Sequence, residues 1–330
     1  MPARADTGLT RLPAVAPDHP VTVFYPTAVQ AQPFQRGPFT LPVALDAAPV
    51  WGNGRLIVIS HGSGGNPWVH SDLALTLVEA GFVVAIPQHR VDSFGDEGSP
   101  GPESWKLSPL EVSRAIDVVG RDARLAPLLR LDRVGVGVYG MSAGGHTALT
   151  MAGGHWSPGN LERHCEAHIA DDFNTCVGLA ARQTGGLLDG VKRAIALVVI
   201  RARLSDDTLQ AYVDDRVAAV VAGVPVAADF DMASLATPRV PLGLVKAGRD
   251  AWLTPRFHIE RVLAAYSSCE LIADLPDAGH GALLSPLPPG LDGLLGDLLN
   301  DPPGFDRSAL PEVDRRIAAF FRRRLSAGPE

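Results

Sequence analysis

The sequence predicts an α/β fold in which helices flank a mainly parallel central sheet. Short apolar runs rich in β-branched residues alternate along the 330-residue chain with longer amphipathic segments, and this alternation is typical of βαβ units. Pieces rich in glycine and proline separate these segments without forming a long linker. Since 46% of the residues are hydrophobic, a large core can form, and we expect one domain over residues 1–330.

Seven strands follow from the short β-branched runs: residues 21–25, 55–60, 82–86, 133–139, 216–224, 242–246 and 271–275. The first helix is expected between Asn66, a capping residue followed by proline, and Gly81, a residue type that commonly ends helices. Further helices are predicted at 109–129, from 143 to 152 and at 311–325. In the last of them, apolar residues recur at helical spacing.

Residues 155–215 interrupt this alternation. They contain two cysteines, three histidines and several glycines. We expect an insertion or cap within the domain, placed after the helix that ends near residue 152. Inside it, residues 194–200 form either an extra strand or part of a helix, because a short apolar run fits both periodicities.

The stretch GVGVYGMSAGGHTAL, residues 135–149, fits two motifs. Gly135, Gly137 and Gly140 spell G-x-G-x-x-G, the dinucleotide-binding pattern, whereas Gly140, Ser142 and Gly144 spell G-x-S-x-G. A dinucleotide fingerprint needs its glycines at the turn between a strand and a helix. Here the first two glycines alternate with valines, so we place them inside the strand. The pattern therefore favours the serine motif.

The serine motif predicts a nucleophile elbow, a sharp turn from a strand into a helix. Such a turn holds the serine in a strained backbone conformation, so that its hydroxyl projects above the sheet. Small residues are needed two positions before and after the serine because the strand and helix pass close together. Gly140 and Gly144 meet this need. Ser142 is therefore the predicted nucleophile.

A serine nucleophile needs a general base, and the best candidate is His280 in DLPDAGHGALL, residues 274–284. This glycine-flanked histidine follows the last predicted strand and can reach over the serine. The competing histidines have other roles to fill: His146 and His258 fall on predicted helices, and His61 begins a glycine-rich loop.

Asp250 is the candidate acid that orients the base. It ends the segment PLGLVKAGRD, just after the strand at 242–246, and catalytic groups in open α/β sheets collect at the carboxyl ends of strands. Asp229 and Asp231 follow the preceding strand and are the alternative candidates.

The segment HGSGG, residues 61–65, follows the strand RLIVIS and predicts an oxyanion loop. Cleavage of an ester places negative charge on the former carbonyl oxygen, which two backbone N–H groups can hold. We expect these donors from Ala143, the residue after the nucleophile, and from Ser63, with Gly64 as the next candidate. A phosphate loop is excluded because no Gly-Lys-Ser/Thr ending is present.

Together these motifs resemble the α/β-hydrolase superfamily, and more narrowly the serine-type predicted dienelactone hydrolases that are similar to platelet-activating-factor acetylhydrolases. The resemblance covers most of the chain and rests on FYPT, LIVISHGSGG, LVEAGFVVAIPQHR, GVYGMSAGGHTAL, VKAGRDAWLTP and DLPDAGHGALL. It implies the α/β-hydrolase fold, with Ser142 as nucleophile, His280 as general base and Asp250 as its partner. It also implies Ser63 and Ala143 as the oxyanion donors.

The chain departs from the family pattern in three ways. Dienelactone hydrolases use a cysteine nucleophile where this chain has Ser142, so dienelactone is not the expected substrate. In the platelet-activating-factor enzymes the acid follows an earlier strand, which keeps Asp229 and Asp231 as alternatives. The insertion at 155–215 has no simple counterpart in the minimal fold.

The charge and hydropathy of the chain limit which partners and which cellular compartments are expected. The 29 basic and 36 acidic residues give a net charge of −7, which provides no electrostatic argument for nucleic acid or an anionic membrane as a partner. The longest uncharged apolar run, residues 217–228, is too short for stable membrane insertion. The start of the sequence lacks the apolar core of a secretory signal. We therefore expect a cytoplasmic protein, or a periplasmic or secreted one if a leader has been removed.

Three cysteines are present, without a C-x-x-C pair that would indicate zinc. Cys165 and Cys176 are close enough in sequence to form a disulfide in an exported protein; otherwise they are buried thiols.

The expected function is a serine carboxylic-ester hydrolase that acts through an acyl-enzyme on small to medium esters. This chemistry needs neither a metal nor an organic cofactor, and its partner is a small-molecule ester. Two alternatives use the same fold: acyl transfer, or amide or thioester cleavage, on the same triad, and a non-catalytic binding protein. The sequence does not predict an oligomeric state.

Overall fold

A ten-stranded sheet forms the centre of the protein in the computed structural model, which describes residues 5–325. Over this range the strands are β1 (Asp6–Leu12), β2 (Val21–Thr27), β3 (Gln32–Arg36), β4 (Phe39–Leu45), β5 (Leu56–Ser60), β6 (Val83–Ile86), β7 (Val136–Met141), β8 (His155–Trp156), β9 (Val217–Gly223), β10 (Phe230–Asp231), β11 (Leu242–Ala247) and β12 (Glu270–Leu275). The helices are α1 (Ser71–Glu79), α2 (Pro102–Arg121), α3 (Leu131–Val134), α4 (Ala143–Met151), α5 (Pro158–His168), α6 (Phe173–Val177), α7 (Asp189–Arg203), α8 (Met232–Leu235), α9 (Ile259–Ala265), α10 (Gly293–Leu299) and α11 (Leu310–Arg324).

The sheet has the order β12-β11-β9-β7-β5-β6-β2-β1-β4-β3. Neighbouring strands from β12 to β6 are all parallel, whereas β2 pairs antiparallel with both β6 and β1. This confirms the predicted α/β architecture with a mainly parallel sheet. The parallel strands bring the carboxyl ends of β5, β7, β11 and β12 to one edge of the sheet, where the candidate site forms.

The N-terminal extension of the sheet was missed by the sequence prediction. Strands β1, β3 and β4 extend the sheet at one edge, which the periodicity did not indicate; β1 pairs antiparallel with β2 and parallel with β4, and β3 pairs antiparallel with β4. In β3 no residue is buried, and Pro33 pairs with Pro42 of β4. Prolines and exposed side chains are tolerated there because the two strands lie at the edge.

The bounds predicted for α2 were wrong at both ends. The helix begins at Pro102 instead of 109, because Pro102 follows Gly101, which adopts a left-handed φ of 101°, and proline is favoured at the first helical position. Pro109 lies inside the helix. The helix ends at Arg121 and is followed by Asp122, whose carboxylate accepts the backbone N–H groups of Arg124 and Leu125.

The start predicted for β7 was also wrong. Residues 131–134 form the short helix α3, and Gly135, at φ 68°, joins it to the strand. Gly137 and Gly140 lie inside β7, and a Cβ added to Gly137 would meet Ile57 Cδ1 at 2.5 Å. Since Gly135 precedes a strand and does not follow one, the turn that a dinucleotide fingerprint requires is not formed by these glycines.

Two apolar layers cover the faces of the sheet. Helices α2 and α4 pack on one face, with Val112 and Ile116 fully buried; α1 and α11 pack on the other, with Ile317 and Phe321 buried. These residues follow the helical spacing read from the sequence.

Residues 155–215 contain β8, α5, α6 and α7. Residues 194–200, for which a strand or a helix was predicted, lie in α7. A disulfide between Cys165 and Cys176 joins α5 to α6, with 5.6 Å between the Cα atoms. Of the two predictions for these cysteines, the disulfide is the one the structure contains.

Candidate active site

Ser142 lies on the turn between β7 and α4, at φ 59° and ψ −118°. This left-handed backbone is strained for a residue with a Cβ. The strand and helix pass so closely that a Cβ on Gly140 would lie 1.8 Å from the Gly144 carbonyl oxygen, and one on Gly144 would lie 1.9 Å from the Ser60 carbonyl oxygen. The geometry matches the sharp turn expected from G-x-S-x-G.

The structure brings His280 to Ser142, although 138 residues separate them in sequence. His280 begins a single turn of 3-10 helix after β12 and is buried. Its Nε2 lies 2.9 Å from Ser142 Oγ, and its Nδ1 lies 2.7 Å from Asp250 Oδ2. A proton can therefore pass from the serine hydroxyl to an imidazole whose other nitrogen is held by a carboxylate.

The loop after β11 fixes the orientation of the Asp250 carboxylate. Its Oδ1 accepts the backbone N–H groups of Trp252 and Leu253, each at 2.8 Å. This leaves Oδ2 directed at His280. Bonds to an ionised acceptor are among the stronger ones in proteins, so the acid is held in place before any substrate binds.

The two alternative acids have other partners. Asp229 and His146 are both fully buried, with His146 Nε2 3.0 Å from Asp229 Oδ2. Asp231 caps α8 by accepting the Ala233 N–H at 3.0 Å. The structure therefore brings Asp250, and neither alternative, to His280.

Other candidate histidines also lie elsewhere. His164 Nε2 and His258 Nε2 lie 2.8 and 3.2 Å from the same Asp172 carboxylate oxygen, and His258 Nδ1 accepts the Ala227 N–H at 2.9 Å. His155 is exposed in β8. These contacts tie the histidines to the 155–215 segment and its neighbours.

The HGSGG loop lies directly beside the serine. A Cβ placed on Gly62 would lie 3.2 Å from Ser142 Cβ and 3.7 Å from its Oγ. On the other side of the hydroxyl, Ala143 is the first residue of α4, where backbone N–H groups have no acceptor within the helix. Both predicted donor segments therefore border the serine hydroxyl.

His61 fixes the orientation of the Gly62–Ser63 peptide. The backbone N–H of His89 donates to His61 Nε2 at 3.0 Å, so the ring proton is on Nδ1, which donates to the Gly62 carbonyl oxygen at 2.8 Å. Burial lowers the pKa of His61 well below its ordinary value and keeps the ring neutral. Because C=O and N–H point in opposite directions across a trans peptide, holding the Gly62 oxygen turns the Ser63 N–H the other way.

Asp92 is a buried residue of the site that the sequence analysis missed. Its Oδ1 accepts the Ser63 hydroxyl and the Gly64 N–H, the latter at 3.2 Å, and its Oδ2 accepts the Ser104 hydroxyl at 2.8 Å. Burial raises the pKa of Asp92, although these hydrogen bonds act in the opposite direction. Since the Gly64 N–H also donates to the Asp92 backbone oxygen, Gly64 is already engaged, which favours Ser63 over Gly64 as a free donor.

A second buried chain of hydrogen bonds begins at Ser60, directly before the HGSGG loop. His89 Nδ1 donates to Glu111 Oε2 at 2.7 Å, and His89 Nε2 accepts the Ser60 hydroxyl at 2.7 Å. The position of Asp92 and His89, just after β6 at the carboxyl edge of the sheet, is the sequence signal that could have identified them.

A cavity of about 440 Å³ opens beside the catalytic histidine candidate. Its lining includes His280 and Trp252, with Arg249, Asp292 and Asn300 as polar groups, but does not include Ser142. Its volume is within the range of small-molecule sites. Among residues 5–325, no group of three or more metal-binding side chains is positioned to hold an ion, and no helix is long and apolar enough to cross a membrane.

No protein-family model and no curated protein matches the sequence. Among solved structures, a ferulic acid esterase from Streptomyces cinnamoneus is similar, with a TM-score of 0.60 and 16% sequence identity. The similarity covers 100% of this chain and 93% of the esterase chain. At this identity it shows a shared fold: the protein has the α/β-hydrolase fold.

Proposed function

We propose that the protein is a serine carboxylic-ester hydrolase that acts through an acyl-enzyme. The observation that carries the proposal is the continuous hydrogen-bonded path from Ser142 Oγ through His280 to Asp250, with distances of 2.9 and 2.7 Å. Chain order, strand-end positions and the turn at the serine all agree with this chemistry. We also propose that the protein is related to the serine-type predicted dienelactone hydrolases that its motifs resemble.

In the proposed first step, Ser142 Oγ attacks the ester carbonyl carbon while its proton moves to His280 Nε2. The tetrahedral intermediate collapses when the bond to the leaving oxygen breaks, and His280 returns the proton to the leaving alcohol. Water then attacks the acyl-enzyme with the same base, releasing the acid and restoring the serine. Asp250 stabilises the imidazolium that forms in each half-reaction.

The oxyanion of the intermediate is held by the Ser63 and Ala143 N–H groups. The orientation of the Gly62 carbonyl towards His61, at 2.8 Å, supports Ser63 as one donor. The position of Ala143 at the start of α4 supports the other, because the partial positive charge of a helix N-terminus also favours an anion there. Loss of one such donor typically costs about 3–4 kcal/mol of barrier stabilisation.

Esters of small to medium size are the proposed substrates. The loop after β6 carries Arg90, Asp92 and Glu97 and lies beside the HGSGG loop. These charges favour a compact or polar acyl or alcohol group over a long alkyl chain. Aromatic acyl esters belong in the same size range, and the esterase with the similar fold is named for ferulic acid.

Residues 155–215 are proposed as a cap within a single domain of residues 1–330. Asn174 donates to the Ala251 carbonyl at 2.8 Å and Thr175 to the Trp252 carbonyl at 3.0 Å, so α6 lies against the loop that follows Asp250. The disulfide in this segment supports a periplasmic or secreted location over the cytoplasm, since disulfides persist in oxidising compartments.

A panel of p-nitrophenyl esters from acetate to palmitate, together with methyl ferulate, tests the function and its substrate class. We expect hydrolysis of acetate, butyrate and ferulate esters, with kcat/KM for palmitate at least about tenfold lower, because the charged loop after β6 disfavours a long alkyl chain. A preference for palmitate would contradict the substrate class. Absence of hydrolysis for every ester, with an intact fold by circular dichroism, would contradict the function.

A further inference from the structure

Helix α7 carries apolar side chains around most of its circumference. Ile200 is buried and Leu197 packs against the core, so one face holds the helix on the protein. The opposite face, which we call the α7 stripe, is exposed to solvent and consists of Val191, Ala194, Ile195, Val198, Val199 and Ala202. Ile195 and Val198 are 60% and 65% exposed. Contiguous exposed apolar residues of this kind mark interaction surfaces.

The stripe has the geometry of a helix that lies at an interface. At 3.6 residues per turn, its six residues fall within about 140° of the helix circumference. Arg201 borders this arc on one side, and Lys192 and Arg203 border it on the other. An apolar face with basic residues along both borders is typical of helices that lie in the plane of a lipid surface.

The charge of α7 differs in sign from that of the whole chain. The helix contains four basic residues and one acidic residue, within a protein of net charge −7. Two of the basic residues form ion pairs, Arg201 with Glu166 and Lys192 with Asp189. The Arg201 pair is exposed, and exposed pairs contribute about 1 kcal/mol or less. A phosphate group can therefore compete with Glu166 for Arg201.

These charges favour an anionic lipid surface over a second copy of the chain. Packing of two α7 stripes would bring Arg201 against Arg203 of the other copy in a parallel pair, and Lys192 against Arg203 in an antiparallel pair. Like charges side by side are unfavourable. Lipid phosphates would instead lie against both borders. With 15 residues, α7 is too short to span a bilayer and can only lie in its interface.

We propose that the α7 stripe binds the surface of an anionic phospholipid bilayer, with its apolar side chains among the headgroups and its basic borders on lipid phosphates. Arg182, seven residues before α7, forms an exposed ion pair with Asp297 of α10 at 3.1 Å, and Asp297 and His280 line the same cavity.

Co-sedimentation with vesicles tests this proposal without relying on catalysis. We expect the protein to sediment with vesicles of equimolar phosphatidylglycerol and phosphatidylcholine, and far less with pure phosphatidylcholine. The triple variant Val191→Ser, Ile195→Ser, Val198→Ser is expected to bind at least about tenfold more weakly, because three buried apolar side chains are lost from the interface. High salt is expected to weaken wild-type binding.

A matched control substitutes three exposed apolar residues on other surfaces, Val29→Ser, Leu45→Ser and Leu271→Ser, and is expected to bind like the wild type. Both variants are expected to keep wild-type circular dichroism and esterase activity in vesicle-free buffer. Three results would overturn the proposal: no wild-type binding to anionic vesicles, equal weakening by both triple variants, or a dimer in light scattering that the stripe variant alone converts to a monomer.

Discussion

His280 Nδ1 lies 2.7 Å from Asp250 Oδ2, while Asp250 Oδ1 accepts two backbone N–H groups at 2.8 Å. The carboxylate is thus fixed at one oxygen by the backbone and presents the other to the imidazole. This relationship selects one tautomer of the ring, with the proton on Nδ1 and a free Nε2 facing Ser142.

Replacing Asp250 by asparagine tests this arrangement. We expect Asp250→Asn to lower kcat for p-nitrophenyl acetate by about 10⁴-fold with a small change in KM, because an amide group can hold His280 in the wrong tautomer. The matched control is Asp231→Asn, a change at a half-buried helix cap, for which we expect nearly wild-type kcat. Comparable losses in the two variants would remove Asp250 from its proposed role.

The hydrogen bonds between Asp92 and the oxyanion loop predict a separate effect on catalysis. We expect Asp92→Ala to lower kcat by about 10- to 100-fold, since the loop loses the acceptor for the Ser63 hydroxyl and the Gly64 N–H without losing a donor itself. Steady-state kinetics would show the loss in kcat more than in KM. The control is Glu97→Ala, at an exposed position in the loop after β6 that also contains Asp92. Equal kcat values for both variants would argue against a role of Asp92 in holding the oxyanion loop.

The disulfide between α5 and α6 is expected to stabilise the proposed cap. Its 11-residue separation predicts a contribution of about 2–4 kcal/mol to the free energy of unfolding. We expect a reductant to lower the Tm of the wild type and to leave that of the double variant Cys165→Ala, Cys176→Ala unchanged. A wild-type Tm that does not respond to complete reduction, verified by thiol titration, would contradict this prediction.

Asp314 of α11 predicts a pH dependence of stability. Burial, with the nearby Asp72, raises its pKa to about 7 from an ordinary value of 3.8. Between these two values the folded state holds a proton that the unfolded state releases, so the free energy of unfolding falls as pH rises, by at most about 1.4 kcal/mol per pH unit. The contribution is fully present below pH 3.8 and is lost by about pH 7.

Urea unfolding of Asp314→Asn at pH 5 and pH 8 measures this effect. Because the amide cannot ionise, we expect the variant to gain stability relative to the wild type between the two pH values. Asp132→Asn, at an exposed position in α3, is expected to show no such gain. A wild-type-to-variant difference that is the same at both pH values would contradict the prediction.

The structural elements that could be predicted from the sequence are those that local residue patterns determine. The parallel strands are short β-branched runs, and the candidate residues Ser142, Asp250 and His280 each follow such a run, so position along the chain indicated position in space. The bounds of α2 required a choice between Pro102 and Pro109 as the starting proline, and local propensity alone favoured the wrong one.

The parts that were missed depend on contacts between distant segments. The edge strand β3 has no buried residue, and its pairing with β4 supplies the stability that its composition does not indicate. Asp92 acts on Ser63 across 29 residues, and His89 reaches Glu111 across 22. No spacing rule connects such partners, because only the sheet places the loops after β5 and β6 side by side.

The central claim is that Ser142 is the nucleophile, and the most direct measurement is kcat for p-nitrophenyl acetate in the wild type and in Ser142→Ala, with labelling by a fluorophosphonate probe followed by peptide mass spectrometry. We predict a loss of about 10⁶-fold in kcat, as expected for removal of a triad nucleophile, and a probe adduct on the peptide that contains Ser142. Equal kcat values in the two proteins, or an adduct on a different residue that survives the substitution, would contradict the claim.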